Sequence, residues 1–148
     1  MKIRVTKDFN FEMGHALDHH DGKCKHLHGH TYHLSVTILG EPKPSTESPD
    51  SGMVIDFGHL KKIVKSEIVE KYDHSLVLHK DSKYLTNIEN WPHTERLYLT
   101  NYQPTCENLL LEFVAILKPY FKGEVELVRM KLNETTTSYA EWYKEDQV

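Results

Sequence analysis

The 148-residue sequence lacks several features that mark particular classes of protein. It has no run of 18 apolar residues, so no transmembrane helix is predicted. It has no densely basic stretch and a net charge of −4, which argues against nucleic acid as the main partner. Its N-terminus has no hydrophobic signal core, which predicts a cytoplasmic location. The length predicts one domain, spanning 1–148, with one core.

Cysteine is scarce and a glycine-rich phosphate-binding loop is missing. The two cysteines, Cys24 and Cys106, are expected to be free thiols because no secretion signal accompanies them. Histidine is abundant by contrast. The chain contains 11 histidines, and four of them fall between His26 and His33.

Four segments have the alternation of apolar and polar residues that is typical of strands. The first two, 2–15 and 31–39, are predicted to pair antiparallel. The other two are 125–132 and 138–143, and residues 96–100 are a candidate for a short additional strand.

Two segments have helical spacing instead. The first follows Phe57 and fades near Lys71, and the second begins at the N-cap Thr105 and ends at Pro119. The order strand, strand, helix, helix, strand, strand predicts an α+β fold, with an antiparallel sheet and both helices on one face.

Three histidines share the inward face of the first two predicted strands. His28 and His30 lie two residues apart, so their Cα atoms are about 7 Å apart on one face of a strand. They continue the apolar face of Tyr32, while His15 continues the apolar face of the partner strand. Their imidazoles are therefore predicted to converge at the inner edge of the sheet. His26 has the same parity and stays an alternative.

Convergent imidazoles away from water indicate a metal site. Burying three neutral imidazoles without partners is costly, whereas one metal ion satisfies all three. Three histidines with an open fourth position are typical of catalytic zinc, and iron or nickel are alternatives. The competing interpretation is a solvated surface cluster.

Cys24 lies four residues before His28 and is flanked by Lys23 and Lys25. Neighbouring cations and a nearby metal both favour the thiolate, the form that acts as nucleophile or proton acceptor. In the alternative, Cys24 is inert or is a fourth zinc ligand that closes a structural site.

Further acid–base candidates are separated along the chain. In the pair Asp73–His74, an aspartate can orient a histidine, although the pair could equally be a solvated loop. Glu107 lies in the first turn of the second helix, where a carboxylate is favourable for the helix dipole alone. Glu134 follows a predicted strand, and a carboxylate there can bind an N–C–N edge of a heterocycle in bidentate fashion.

Six motifs in this order cover nearly the whole chain: FNFEMGH at 9–15, CKHLHGH at 24–30, VIDF at 54–57, YDH at 72–74, PTCEN at 104–108 and NET at 133–135. With them the chain resembles the 6-pyruvoyltetrahydropterin synthase superfamily, and most closely its bacterial branch, which forms 6-carboxy-5,6,7,8-tetrahydropterin in queuosine biosynthesis. The stretch 81–101 is longer than in compact members of that superfamily.

The resemblance implies a role for each matching residue. It implies zinc ligands at His15, His28 and His30, a catalytic thiol at Cys24, acid–base partners at Asp73 and His74, and a pterin anchor at Glu134 with Thr105 and Glu107. The implied site is thus an open catalytic one, with His28 and His30 chosen over His26.

The resemblance also implies a fold and a reaction. The fold is the T-fold, a four-stranded antiparallel sheet with two helices packed on one face, which assembles into an oligomeric barrel with active sites at subunit contacts. The reaction converts 7,8-dihydroneopterin triphosphate to 6-carboxytetrahydropterin, with release of acetaldehyde and triphosphate.

Three alternatives to this reaction remain. The three residues between Cys24 and His28 resemble the carboxy-forming branch, whereas the pyruvoyl-forming animal enzymes have a longer gap. Formation of 6-pyruvoyltetrahydropterin is the nearest rival, followed by a structural zinc protein and a zinc hydrolase. The triphosphate would depend on lysine, arginine or backbone N–H groups, with Lys23 and Lys25 as candidates.

Overall fold

The computed structural model describes residues 1–45 and 47–147 and contains, within them, a six-stranded mixed sheet. Its strands are β1 (Ile3–His15), β2 (His28–Gly40), β3 (Ser75–His79), β4 (Leu97–Thr100), β5 (Val125–Asn133) and β6 (Tyr139–Tyr143). Their spatial order is β4-β3-β1-β2-β5-β6. Neighbours among β1, β2, β5 and β6 pair antiparallel, whereas β3 runs parallel to β1 and β4 parallel to β3.

Two helical stretches cover one face of this sheet. The first is α1 (Phe57–Val64), which continues through a π-helical segment (Lys65–Val69) into α2 (Glu70–Tyr72), and the second is α3 (Cys106–Leu117). Each begins at a side-chain cap, because Asp56 accepts the amide of His59 at 2.8 Å and Thr105 accepts that of Asn108 at 3.2 Å. No helix in the described part of the chain is long and apolar enough to cross a membrane.

Short 3₁₀ turns complete the described elements. They lie at Lys23–Lys25, Lys83–Leu85, Ile88–Asn90, Lys118–Tyr120 and Lys144–Asp146.

The core lies between the helices and the inward face of the sheet, as the alternation predicted. Phe11 and Tyr32 stack at a centroid distance of 5.3 Å, and Phe113 of α3 packs edge-on against Phe11 at 6.0 Å. The opposite face of the sheet is polar, and the hydroxyls of Thr6 and Thr37 hydrogen-bond across it at 2.9 Å. The inward positions of β1 and β2 are therefore the ones shielded from water.

The expected sheet was wrong in strand number and in being wholly antiparallel. The candidate strand near 96–100 is present as β4, but β3 was not predicted. Strand β3 follows α2 directly, and the turn between them contains no glycine or proline that would indicate a turn in the sequence. The left-handed position of this turn is taken by His74, at φ 57°. Without such a turn residue, the five residues of β3 could not be distinguished in the sequence from the end of the preceding helix.

Candidate active site

The register of β1 against β2 brings three histidines together. His15 lies opposite His28, and His30 lies opposite Met13, so all three side chains reach the helix-covered face. The ring centroids are 4.6 Å apart for His15 and His28, 5.2 Å for His15 and His30, and 4.8 Å for His28 and His30. One ligand atom from each residue lies within 4.8 Å of the other two. The predicted convergence is confirmed, and these three positions could hold a metal ion.

Two backbone carbonyls orient the imidazoles. Nδ1 of His15 lies 2.7 Å from the carbonyl oxygen of Pro104, and Nδ1 of His28 lies 2.6 Å from that of His26. A carbonyl can only accept, so each Nδ1 carries the proton and each Nε2 presents a lone pair. The two Nε2 atoms are 3.1 Å apart. Two lone pairs at this distance repel each other, and a cation between them removes the repulsion.

The third imidazole completes the fit to a metal ion. Nε2 of His30 is buried and has no hydrogen-bond partner among the described residues. A buried polar nitrogen without a partner costs free energy that a metal–ligand bond would restore. The donor set is imidazole nitrogen only, which suits zinc and other transition metals better than magnesium or calcium.

The cluster contains neither His26 nor Cys24. Within the described chain, the group of candidate ligand atoms consists of three imidazole nitrogens and no thiol. The side chain of His26 is exposed, and its residue contributes the carbonyl that orients His28. This geometry favours an open site over a closed one completed by cysteine.

Burial favours the neutral form of two of the clustered imidazoles, those of His15 and His30. Desolvation lowers the pKa of His15, and this outweighs the opposing effects of the Pro104 carbonyl and the Glu134 carboxylate. Desolvation likewise lowers the pKa of His30. Neutral imidazole is the form that binds metal, so protons compete weakly for this site near pH 7.

We expect the metal-free protein to lose stability as the pH falls from about 7 to 5.5. An unfolded histidine has a pKa of about 6.5, whereas the folded pKa values of His15 and His30 are lowered. The unfolded chain therefore takes up more protons below about pH 6.5, and the free energy of unfolding decreases. Melting temperatures across this range test it. A His93→Asn variant, which removes a histidine that is 87% exposed, should keep the wild-type slope. A flat wild-type profile would contradict the expectation.

Zinc should raise the melting temperature of the chelator-treated protein. A ligand at about 100 times its dissociation constant stabilises the folded state by about 2.7 kcal/mol, which is about 5–10 °C for a domain of this size. A His28→Ala variant should lose most of the shift, because it removes one of three ligands. A His33→Ala variant is the control, since its imidazole lies on the opposite face and pairs with Asn10. A zinc-induced rise in melting temperature of equal size in both variants would contradict the three-histidine site.

Glu134 connects the histidine cluster to a neighbouring cavity. It follows β5, and its two carboxylate oxygens lie 3.7 Å from Nε2 of His30 and 3.9 Å from Nε2 of His15. The buried hydroxyl of Tyr32 donates to Glu134 at 3.4 Å. Burial, followed by the charge of Glu134, raises the pKa of Tyr32, so this hydroxyl stays protonated.

The cavity has a volume of about 350 Å³ and brings together the three residues predicted to bind a pterin. Its walls include Thr105, Glu107 and Glu134, together with His20, Cys106 and Tyr139. Thr105 is the N-cap of α3 and Glu107 lies in its first turn, and both reach the cavity because α3 starts beside the end of β5. His20, an exposed residue on the cavity wall, was not among the predicted site residues. Its spacing from the other histidines gave no signal of a shared cavity.

The two thiols differ in their surroundings. Cys24 is half-buried in the 3₁₀ turn before β2, and its backbone carbonyl accepts the amide of Leu17 at 2.9 Å. Cys106 is also partly buried, at the start of α3, and its thiol donates to the carbonyl of Leu132 at 3.2 Å. Burial raises the pKa of Cys106 to about 11. The Cys106 thiol therefore stays protonated near neutral pH, which leaves Cys24 as the candidate for a reactive thiol.

Asp73 and His74 form a fixed pair at the start of β3. Oδ1 of Asp73 accepts the amide of Glu12 at 2.8 Å and lies 3.0 Å from Nδ1 of His74. The amide of Glu12, and then His74, lower the pKa of Asp73. The left-handed backbone of His74 costs about 1 kcal/mol, and its amide donates to the carbonyl of Glu12 at 2.6 Å. Nδ1 of His74 therefore faces a carboxylate, and its Nε2 makes no hydrogen bond to any described residue.

His74 and one member of the histidine cluster, His30, both line a second cavity. This cavity, of about 320 Å³, is lined by His74 and His30 together with Glu12 and Thr31. Within one described chain, no hydrogen bond or ion pair joins Asp73 or His74 to Cys24. The structure thus brings together the histidine cluster and Glu134, and it holds the thiol and the Asp73–His74 pair in separate turns.

An α+β sheet that carries three convergent imidazoles beside a carboxylate-lined cavity defines a candidate metal centre next to a small-molecule site. The chain belongs to the 6-pyruvoyl tetrahydropterin synthase family, whose model matches residues 4–145.

Relatives and solved structures agree with this membership. The chain is similar to the 6-carboxy-5,6,7,8-tetrahydropterin synthase of Rickettsia felis, with 37% identity over 94% of this chain and 99% of that protein. The protein of the same name from Haemophilus influenzae is 34% identical over 95% and 98% of the two chains. The fold is similar to that of the Caenorhabditis elegans 6-pyruvoyl tetrahydropterin synthase, with a TM-score of 0.68, 24% identity, and coverage of 97% and 96%.

Proposed function

We propose that this protein is a zinc-dependent lyase that converts 7,8-dihydroneopterin triphosphate and water to 6-carboxytetrahydropterin, with release of acetaldehyde and triphosphate. The observation that carries the proposal is the position of Glu134, which lies within 4 Å of two imidazoles of the metal cluster and also lines the adjoining cavity. A pterin ring held in that cavity has its side chain directed to the metal site. The names of the relatives support the same reaction.

Glu134 anchors the pterin ring. An ionised carboxylate accepts two parallel N–H bonds, and the N–C–N edge of a pterin offers such a pair. Glu107 and Thr105 line the same cavity and contribute further polar contacts at the helix start. Lys23 and Lys25, on either side of Cys24, are the candidates for contacts to the triphosphate.

His15, His28 and His30 would hold zinc, which supplies a Lewis acid for the side-chain hydroxyls and stabilises the charge that develops when an adjacent C–H bond is broken. The Cys24 thiolate removes the side-chain proton. His74, oriented by Asp73 through Nδ1, accepts a proton at Nε2 and passes it to the reacting side chain.

The proposal includes a homo-oligomer with active sites at subunit contacts. Two features of the described chain support it. Both sheet edges, β4 and β6, present backbone groups that the sheet leaves unpaired on one side. The Asp73–His74 pair and Cys24 lie in separate turns, so a subunit contact is a direct way to complete one site from both. A role in queuosine biosynthesis and a cytoplasmic location complete the proposal.

The test is a product assay on zinc-loaded protein supplied with 7,8-dihydroneopterin triphosphate. Pterins are resolved by mass and acetaldehyde is trapped. Acetaldehyde together with 6-carboxytetrahydropterin is the expected result. A chelator-treated sample should lose the activity and regain it with zinc. Unchanged substrate in the presence of bound zinc would overturn the proposal.

Formation of 6-pyruvoyltetrahydropterin is the second candidate, because the matching family model carries that description. It uses the same residues and differs in retaining the carbon–carbon bond of the side chain. A 6-pyruvoyl product without acetaldehyde would assign the chain to this reaction.

A further inference from the structure

Residues 81–101 form an ordered border along the β3 side of the sheet. They contain the 3₁₀ turns Lys83–Leu85 and Ile88–Asn90 and end in β4, which pairs with β3. This stretch contributes nothing to the histidine cluster or to the cavity beside Glu134. Its two ends nevertheless contact the two turns that carry the acid–base groups.

At one end, Arg96 holds the turn of Asp73 and His74. Its Nη2 lies 2.5 Å from the carbonyl oxygen of Asp73 and 2.9 Å from those of Glu70 and Lys71. These are the carbonyls that the end of α2 leaves without helical partners, and a cation is favourable there. The Arg96 carbonyl also accepts the amide of Leu76, on the other side of the turn, at 3.0 Å.

This attachment matters because His74 is in an unfavourable backbone conformation. A left-handed residue other than glycine persists only where its surroundings hold it. Arg96 binds the carbonyl just before His74, and Glu12 binds the amide of His74 itself. The direction of the His74 imidazole therefore depends on a guanidinium outside the catalytic groups.

At the other end, Tyr84 holds the turn of Cys24. Its hydroxyl donates to the carbonyl of Lys25 at 2.7 Å. Asp18 strengthens the attachment, because its Oδ1 accepts the hydroxyl of Ser82 at 3.0 Å and the amide of Lys83 at 3.2 Å. Asp18 lies within the loop that is closed by the bond from the Leu17 amide to the Cys24 carbonyl, and Lys25 directly follows that loop.

We propose that residues 81–101 position the two separate acid–base groups of this chain, with Arg96 fixing the Asp73–His74 turn and Tyr84 fixing the Cys24 turn. The proposal rests on the proposed function for its catalytic consequence. Arg96 and Tyr84 are positioning residues, since they touch backbone carbonyls beside the acid–base groups. Their loss should change the rate of proton transfer and leave metal and pterin binding intact.

The experiment compares Arg96→Met and Tyr84→Phe with Arg4→Met and Tyr98→Phe. Arg4 is exposed, and the hydroxyl of Tyr98 makes no hydrogen bond within the described chain, so the last two variants control for loss of an arginine and of a hydroxyl. We expect kcat to fall about tenfold to a hundredfold in the first two variants, with KM within about twofold. Zinc content and neopterin affinity, from fluorescence titration, should not change. A kcat equal to that of the controls would overturn the proposal.

Two readouts are independent of turnover. Amide hydrogen exchange at His74 should accelerate in Arg96→Met, and iodoacetamide should label Cys24 at a different rate in Tyr84→Phe. If the wild-type protein does not convert the pterin triphosphate, the proposed function fails, and these readouts still judge the positioning role. Unchanged exchange and unchanged labelling would overturn it. If Arg96→Met does not fold, Arg96→Lys, which keeps the charge but has a single donor nitrogen, and Tyr84→Phe provide the test.

Discussion

Replacing Cys24 with alanine is expected to lower kcat about a thousandfold while the protein stays folded and keeps its metal. A positioned proton acceptor contributes about a hundredfold to ten-thousandfold to a rate, and alanine removes the acceptor altogether. The metal should stay because the cluster of ligand atoms contains three imidazoles and no thiol. Steady-state kinetics, zinc content and a melting curve on the same preparation give the three numbers required.

The alternatives for Cys24 predict different results. A structural site closed by cysteine predicts loss of zinc and a lower melting temperature. A zinc hydrolase, which uses only a metal-bound water, predicts unchanged turnover. Cys24→Ser is the matched variant, since it keeps the shape of the side chain but offers a weaker acid and a poorer nucleophile. Iodoacetamide should label Cys24 well before Cys106, whose pKa is raised to about 11.

The histidine cluster could be predicted because it depends on a period of two. Alternation along the first two strands fixed which side of the sheet each side chain faces, so His15, His28 and His30 fell on the buried face. The same parity sent His33 to the polar face, where it contacts Asn10. A single-residue error in register would have reversed these assignments.

The orientation of the imidazoles could not be predicted in this way. It depends on the carbonyl of Pro104, which is 89 positions from His15 in the chain, and on that of His26. Backbone carbonyls have no residue identity, so the sequence carries no signal for them. The parity of His26 made it a competing ligand, whereas the structure uses its carbonyl.

The Asp73–His74 pair shows a different kind of limit. The sequence contains the dipeptide, but the geometry arises from contacts with distant residues, namely the amide of Glu12 and the guanidinium of Arg96. Neither contact follows a local pattern, and the left-handed conformation of His74 has no glycine to indicate it. Because this turn has no sequence signal, β3 was not predicted. The sheet is therefore mixed, where a wholly antiparallel one was expected.

Glu134→Gln is expected to lower kcat/KM about a hundredfold, mainly through KM. Each hydrogen bond to a charged group is worth about 1.5–3 kcal/mol, so loss of a bidentate pair costs about 3 kcal/mol or more. Glutamine also turns an amide N–H toward the N–H groups of the pterin edge, where only an acceptor fits. Binding that is equal in ground and transition states appears in KM, and neopterin affinity should fall in proportion.

Glu134 lies so close to the histidine cluster that zinc content must be measured together with neopterin affinity in the Glu134→Gln variant. The oxygens of Glu134 lie 3.7 Å and 3.9 Å from Nε2 of His30 and Nε2 of His15, so its charge would also act on a metal ion held by these histidines. Zinc content that is unchanged while neopterin affinity falls assigns the effect to the pterin. Reduced zinc content with unchanged neopterin affinity would contradict the anchor role and make Glu134 part of the metal site.

Glu41→Gln is the matched control, because it removes an exposed carboxylate paired only with the N-terminal amino group of Met1 among the described residues. Glu134→Asp separates charge from reach, since it keeps the carboxylate but withdraws it by one methylene. An anchor that depends on bidentate contact should therefore lose most of its affinity in Glu134→Asp as well.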